Sequence, residues 1–345
     1  MKRNTRRWLF YSFVLIFLLA TPPTILYSLG WSFDWSSLAL KKTGGLYLKS
    51  APADAQIILD DKNKKTTPRL ISRLLPKTYK ISITKDGYLA WEKNLEVKPQ
   101  LVAEARNIIL FPKNIFPEKV ATTSLTIDDF LRSPEENIKI VEAANLASST
   151  AGWLFYQDSL FLINSANYIF YRVDLGGYIR EQLSKEFLPA DNYRIIAHDN
   201  QFMVIGQNSN LYLLNKNSAI FEKIASQIND AIFSRDGKKI IYWNNNEIWI
   251  LYLEDILIQP YKKAGDKELI TRHSQKISQV IFYPNNEYLA YVISDQIKII
   301  ELDGRDQRNT IDFISSPNPQ IYFDQASSYF YYLTQNELFR VKLEL

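Results

Sequence analysis

The chain contains no cysteine, only two histidines and two methionines, and eleven glycines in 345 residues. Each shortage removes a class of chemistry. Without thiols there is no disulfide, no cysteine nucleophile, no thiolate metal site and no lipid-modified cysteine anchor. The two histidines, His198 and His273, are far apart in sequence, so no His pair has metal-ligand spacing. Both neighbour turn residues, which favours a turn or surface role over a catalytic one. No Gly-x-Ser-x-Gly elbow occurs, and no glycine run could cradle a phosphate. Acidic pairs stand at Asp60-Asp61, Asp128-Asp129, Glu135-Glu136 and Glu254-Asp255, but none lies in a spaced calcium loop. Solvated turns account for them. The expectation is a non-catalytic protein with no metal or cofactor.

Charge is absent from one long stretch. Lys2, Arg3, Arg6 and Arg7 precede Trp8 to Tyr27, which carries no charged residue. Twenty residues at 1.5 Å rise match the roughly 30 Å core of a bilayer. Basic residues before the span favour an N-terminus inside, and Trp31 and Trp35 beyond it fit an interfacial aromatic belt. A cleaved signal peptide ending near Leu18-Leu19-Ala20 is the competing reading. It is disfavoured because Pro22 and Pro23 follow and apolar residues resume through Ile25, Leu26 and Tyr27. Everything after about residue 30 then lies outside the cytoplasm. The short basic tail argues against a sensor with a cytoplasmic output domain.

The remainder is read as mainly β, because a segment repeats. Ala231 to Leu253, shifted by 49 positions, places Phe233 on Phe282, Ile240 on Leu289, Tyr242 on Tyr291 and Ile248 on Ile297. Asp236-Gly237 then meets Asn285-Asn286, so the chemistry of a turn needing positive φ is kept. Further copies put Phe155, Ile196, Phe233, Phe282 and Phe323 in one equivalent place. Short strands rich in Ile, Tyr, Phe and Leu, repeating about every 40 residues, are the pattern of β-propeller blades. Five blades are visible and a sixth from 115–150 stays open. Glu254 to Lys267 reads as an inserted loop on which a partner could dock. The last copy ends after its third strand, so its outer strand must come from elsewhere. Asn137 to Ala143 is the candidate.

Residues 41–119 hold sixteen basic and eight acidic residues, a basic module beside the membrane. Gly44 to Ser50, Gln56 to Leu59, Tyr79 to Thr84, Ala90 to Val97 and Ala103 to Leu110 alternate as strands of a small β-sandwich. Asp60 to Asn63 reads as a turn, and Thr67-Pro68 to Pro76 as a connecting segment. Lys62, Lys64, Lys65, Arg69 and Arg73 form a cluster able to hold anionic headgroups or an anionic wall polymer. A solubilising loop is the alternative, since single surface charges are individually weak.

These residues resemble the PEGA domain. The resemblance rests on Gly45, Leu46, Ser50, Pro52, Ala55, Asp60-Asp61, Thr67-Pro68, Leu74, Pro76, Tyr79, Lys85, Gly87-Tyr88 and Trp91. The family's tetrapeptide is half kept in Pro52-Ala53-Asp54-Ala55, which retains the proline and the final alanine, and Thr66 and Lys77 stand where glycines are usual. The resemblance implies an extracytoplasmic, non-catalytic sandwich that binds envelope or surface components. It brings no catalytic residue to transfer. Phe-Ser-Arg-Asp-Gly-Lys-Lys-Ile-Ile-Tyr at 233–242, with Ile248-Trp249-Ile250 and Leu302-Asp303-Gly304, is similar to TolB-like propeller repeats.

The expected organisation is a tail and transmembrane helix at 1–30, a linker at 31–43, a PEGA-like sandwich at 44–111 and a five- or six-bladed propeller at 112–345. Trp8 and Tyr27 mark the anchor's ends. The expected partners are the membrane and a cell-wall or surface glycan or another envelope protein, with no nucleic acid. The role is envelope binding or scaffolding. A propeller enzyme acting on glycan or peptide is the alternative, and it would need convergent polar residues from different blades.

Overall fold

The charge-free run forms a single helix, α1 (Arg3–Ser28), in the computed structural model, which describes residues 3–123, 140, 143, 144, 147, 149–174, 178–324 and 328–343. Residues Thr5–Ser28 are long and apolar enough to cross a membrane, and their most apolar stretch of 18 residues has mean hydropathy 2.0 with none of it buried in protein. Pro22 and Pro23 lie inside it. On either side of the carbonyls that the prolines free, the Thr21 and Thr24 hydroxyls donate to the carbonyls of Phe17 and Ala20. Gly30 ends the helix with φ +81°, a left-handed conformation natural to glycine, and its N–H donates to the Tyr27 carbonyl.

The chain divides into two units, 1–114 with 305–309, and 115–304 with 310–345. In the first, the segment read as a linker contains a β-hairpin, β1 (Trp31–Asp34) with β2 (Ala39–Lys42). The sandwich follows as β3 (Gly44–Ala51), β4 (Gln56–Leu59), β5 (Lys62–Thr66), β6 (Arg69–Leu74), β7 (Lys77–Thr84), β8 (Trp91–Val97) and β9 (Val102–Ile109). One sheet runs β6-β3-β9 and the other β5-β4-β7-β8. Alternation does the work in β8, whose residues are in turn buried and exposed along its whole length. Leu46, Leu48, Ile57, Leu59, Ile81, Ile83, Trp91 and Leu95 fill the core of this unit. Each fully buried aliphatic side chain of this kind contributes about 1.5–3 kcal/mol.

The second unit opens with β10 (Glu118–Thr122). Five four-stranded antiparallel sheets are described in it, the blades of a β-propeller. Blade one is β11 (Thr150–Tyr156), β12 (Ser159–Asn164), β13 (Phe170–Val173) and β14 (Ile179–Gln182). Blade two is β15 (Tyr193–His198), β16 (Gln201–Gly206), β17 (Leu211–Asn215) and β18 (Ile220–Ala225). Blade three is β19 (Asp230–Phe233), β20 (Lys239–Trp243), β21 (Glu247–Tyr252) and β22 (Lys267–Arg272). Blade four is β23 (Ile277–Phe282), β24 (Tyr288–Ile293), β25 (Gln296–Glu301) and β26 (Thr310–Ser315). Blade five is β27 (Gln320–Asp324), β28 (Tyr329–Thr334) and β29 (Glu337–Lys342), completed by β10. Phe155, Ile196, Phe233, Phe282 and Phe323 all lie on the first strand of their blades. The second strands are buried on both faces, as in β20 and β24, which explains continuous apolar runs such as 240–243 and Tyr288–Ile293.

The outer strand of blade five does come from upstream, but from Glu118–Thr122 and not from Asn137 to Ala143. Most of the latter segment lies outside the described residues, and its described members Ile140 and Ala143 are helical.

The 233–242 motif shows how blades are joined. Gly237 has φ +66° and Asn286 φ +56°, so both equivalent turns use the left-handed region. Ser234 Oγ donates to Asp236 Oδ1 at 2.6 Å and accepts from the Lys239 N–H at 2.9 Å. The Lys239 ammonium, 2% exposed, crosses to blade four, donating to the Asn286 carbonyl at 2.8 Å and to Glu287 at 2.7 Å. A lone ammonium buried there would be costly, and these two acceptors offset it. Burial also pushes the Glu287 carboxyl above the usual range, against the pull of Lys239. Gln279 similarly exchanges two 2.8 Å hydrogen bonds with the Ile321 backbone, joining blades four and five.

Candidate functional site

The basic cluster of the sandwich is built on two strands that look like loops in sequence. Asp60 (φ +46°) and Asp61 (φ +62°) form the two-residue turn between β4 and β5, closing the Leu59↔Lys62 pair. This acidic pair is therefore turn chemistry. Asp60 accepts from the Lys77 ammonium at 2.5 Å and from the Lys80 N–H at 3.0 Å. The Lys77 hydrogen bond, more than any other cause, holds its carboxyl below the usual range.

All of β5 is exposed, so Lys62, Lys64 and Lys65 stand in solvent at the edge of one sheet. The chain then crosses through Thr67-Pro68 to β6, the edge of the other sheet, where Arg69 and Arg73 are also exposed. Thr67 pins that crossover from the inside. It is buried, its hydroxyl shares a 2.6 Å hydrogen bond with Ser50 and accepts from the Ala55 N–H, and its backbone N–H donates to the Ala55 carbonyl. The five basic residues thus line one flank of the sandwich across both sheets.

No acidic residue occurs between Asp61 and Asp86. Among the described residues, none of the five forms an ion pair, whereas Lys77 is paired with Asp60. Arg73, itself at φ +61°, has a different neighbour. Its guanidinium carbon lies 3.3 Å from the centroid of the Tyr27 ring at the end of α1. Two residues singled out separately, one as an anchor end and one as an anion contact, are therefore stacked. Trp8, at the other end of the span, is exposed. The Arg73–Tyr27 contact has no sequence signal, because 46 positions separate them and no periodicity links them. An anion meeting this flank finds positive charge without first displacing a carboxylate.

The propeller offers other features. His198 is half-buried at the end of β15, with Nε2 3.6 Å from the Asp199 carboxylate and its ring 6.0 Å from that of Phe233. His273 is fixed by Tyr291 and Thr271 hydroxyls, each 3.1 Å from Nε2. Burial first, then Lys298, holds its pKa below the ordinary value. Its backbone N–H donates to the Asn246 carbonyl, and the Asn245 carbonyl accepts from the Ile277 N–H, which ties blade three to blade four. The two histidines sit in separate environments. No group of three His, Asp or Glu able to hold a metal occurs among the described residues. Asp128-Asp129 and Glu135-Glu136 lie outside those residues.

A cavity of about 510 Å³ opens in blades one and two, lined by Tyr156, Phe202, Arg172, Lys216, Glu181 and Asp199 among others. Its two cations and two carboxylates select for neither sign of ligand. In blade three, the loop between β21 and β22 is ordered by the Ile256↔Lys262 bridge, by Lys262–Glu268 at 2.7 Å and by Asp255 accepting from the Ala264 N–H. It presents Leu257, Ile258 and Tyr261 to solvent.

No curated protein matches this chain. Among solved structures it is similar to the β-propeller domain of Cps50 (Swd1) from Myceliophteria thermophila, at 12% identity and TM-score 0.38, over 55% of this chain and 68% of that one. It is similar to the extracellular domain of a hybrid two-component system from B. thetaiotaomicron, at 11% identity and TM-score 0.42, over 56% of this chain and 27% of that one. A gluconolactonase from Xanthomonas campestris is a third, at 12% identity and TM-score 0.34, over 54% of this chain and 68% of that one. Likenesses this distant say nothing of what the chain binds. Residues 43–106 match the PEGA domain family, so the chain carries a PEGA domain ahead of its β-propeller.

Proposed function

We propose that this is a non-catalytic scaffold of a prokaryotic cell envelope, anchored by α1 with its bulk outside the cytoplasm, that holds an anionic envelope glycan on the flank of its PEGA domain. The observation that carries the reading is the run Lys62, Lys64, Lys65 and Arg69, exposed on two uncovered edge strands with no ion pair among the described residues. Adjacent unpaired cations concentrate a polyanion, and the attraction is screened by salt. The stacking of Arg73 on Tyr27, at the end of α1, supports a flank that begins beside the anchor. A protein partner on the propeller is a second reading, supported by the ordered loop that displays Leu257, Ile258 and Tyr261.

Co-sedimentation of the full chain in detergent with purified anionic envelope glycan tests the first reading. Binding is expected at low salt and should fall as salt rises. Replacing Lys62, Lys64, Lys65 and Arg69 together by Ser should weaken it about tenfold or more. Equal binding by the substituted chain, or none at either salt, would move attention to the propeller loop.

A further inference from the structure

We infer that the hairpin β1–β2 lies in the outer interface of the bilayer that α1 crosses, seating the first unit on lipid through a second contact. This rests on the reading of α1 as a retained anchor. The hairpin begins three residues after Ser28, and no flexible stretch intervenes. The Leu29 N–H donates to the Ile25 carbonyl, and Thr43 closes the base of the hairpin on Gly30 through both its N–H and its hydroxyl. Strands of four residues span about 13 Å, so the hairpin tip cannot stray far from the end of the helix.

What the hairpin shows to its surroundings is apolar. Trp35 is 81% exposed and Leu38 74%, with Leu40 and Phe33 also exposed. The Phe33 and Trp35 rings meet edge to face at 4.8 Å. No described residue of the unit covers Trp35 or Leu38. The polar groups of the tip meanwhile satisfy one another around the buried Asp34. The Asp34 carboxylate accepts from the Ser36 N–H, the Ser36 and Ser37 hydroxyls and the Lys41 ammonium, all at 2.6–2.9 Å. Lys42 lies over the Trp31 ring and reaches Gln100. A tip that satisfies its own polar atoms and projects Trp and Leu suits the boundary of headgroups and acyl chains, where aromatic rings concentrate. The Arg73 guanidinium, on Tyr27, supplies a cation at the phosphate level of the same boundary.

The absence of cysteine makes the test clean. Single Trp35→Cys and Leu38→Cys variants of the full chain, labelled with an environment-sensitive fluorophore, are reconstituted in phosphatidylcholine vesicles. The labels should be quenched by lipids carrying a nitroxide near the headgroup and shielded from aqueous iodide. The two positions flank the turn, so a folding defect in one variant leaves the other as the reading. Labels open to iodide and untouched by lipid quencher, in protein that resists alkaline carbonate extraction, would overturn the hairpin contact and leave the anchor standing. Release of the protein by carbonate would overturn both.

Discussion

In the propeller the third strand of the last blade is covered by a short fourth strand, β10, which becomes the new edge, whereas in the sandwich the edge strands β5 and β6 stay uncovered and carry lysine and arginine instead. The hazard is the same in both, since an uncovered edge offers unpaired N–H and C=O groups to any extended chain. Blade five meets it by pairing β29 with β10, and two cross-strand ion pairs reinforce the join, Glu118–Arg340 at 2.9 Å and Lys119–Glu337 at 2.5 Å. The sandwich leaves β5 and β6 bare, with charge as the deterrent. The two solutions differ in what they leave behind. A paired edge is used up by the fold, while a charged edge repels strands yet stays available to a polyanion. One set of side chains can therefore serve solubility and binding together.

Removing β10 should break the comparison most severely. Deletion of 118–122 leaves blade five with three strands and an open β29, and the expected outcome is loss of the cooperative propeller transition with aggregation on mild heating. Circular dichroism melting with light scattering reads both. A deleted chain that melts like the parent would show β10 to be dispensable. A second effect, smaller in stability, concerns the charged edge. Replacing Lys64 and Lys65 by Val should change unfolding free energy by no more than about 0.5 kcal/mol, because both are exposed. The same variant should self-associate as concentration rises. If sedimentation shows it monomeric throughout, the lysines are not edge guards, and binding is their remaining role.

The smallest effect lies in how firmly β10 is held. Its hydrogen bonds to Arg340 keep the Glu118 carboxyl below the ordinary 4.5 of glutamate. A lowered carboxyl pKa means that the unfolded chain binds the proton more readily than the folded one. The pair therefore contributes stability above about pH 4.5 and loses it as pH falls through the lower folded value. Amides of Glu118–Thr122 should exchange faster, relative to intrinsic rates, at about pH 3 than at about pH 6. Arg340→Gln should flatten that difference, and an unchanged profile would remove the ion pair from the account.

The same contrast explains what could be read from the sequence. The anchors Phe155, Ile196, Phe233, Phe282 and Phe323 were legible because half-buried first strands carry an apolar residue near their ends, close to turn formers, and are followed by a buried apolar second strand. Strands β7, β8 and β9 were legible because one face is buried and the other wet. Strands β5 and β6 were not, and read as a turn and a connecting segment. With both faces of β5 exposed, no period-two pattern is imposed on Lys62 to Thr66. The cluster was thus identified by charge while the edge strands that carry it went unseen. The hairpin at 31–42 was hidden for a related reason. Its turn depends on Asp34 gathering Ser36, Ser37 and Lys41, a contact pattern with no repeat. The closing strand was expected on topological grounds, but five residues from Glu118 carry too little pattern to be distinguished from other short segments.

The closure of blade five also sets an order of events during synthesis. Glu118 and Arg340 are 222 residues apart, and their strands cannot meet until nearly the whole of the second unit has been made and, if α1 is an anchor, exported. Until then β10 waits as a free segment while blades one to four assemble from local hairpins, each pairing within about twenty residues of its neighbour. A chain stalled or cut before β29 would retain several formed sheets and never bring its two ends together. Such a product would keep a loose strand at one end and an unfinished blade at the other, features that a quality-control protease could recognise. Completeness of the polypeptide would then be checked by whether the fold can shut.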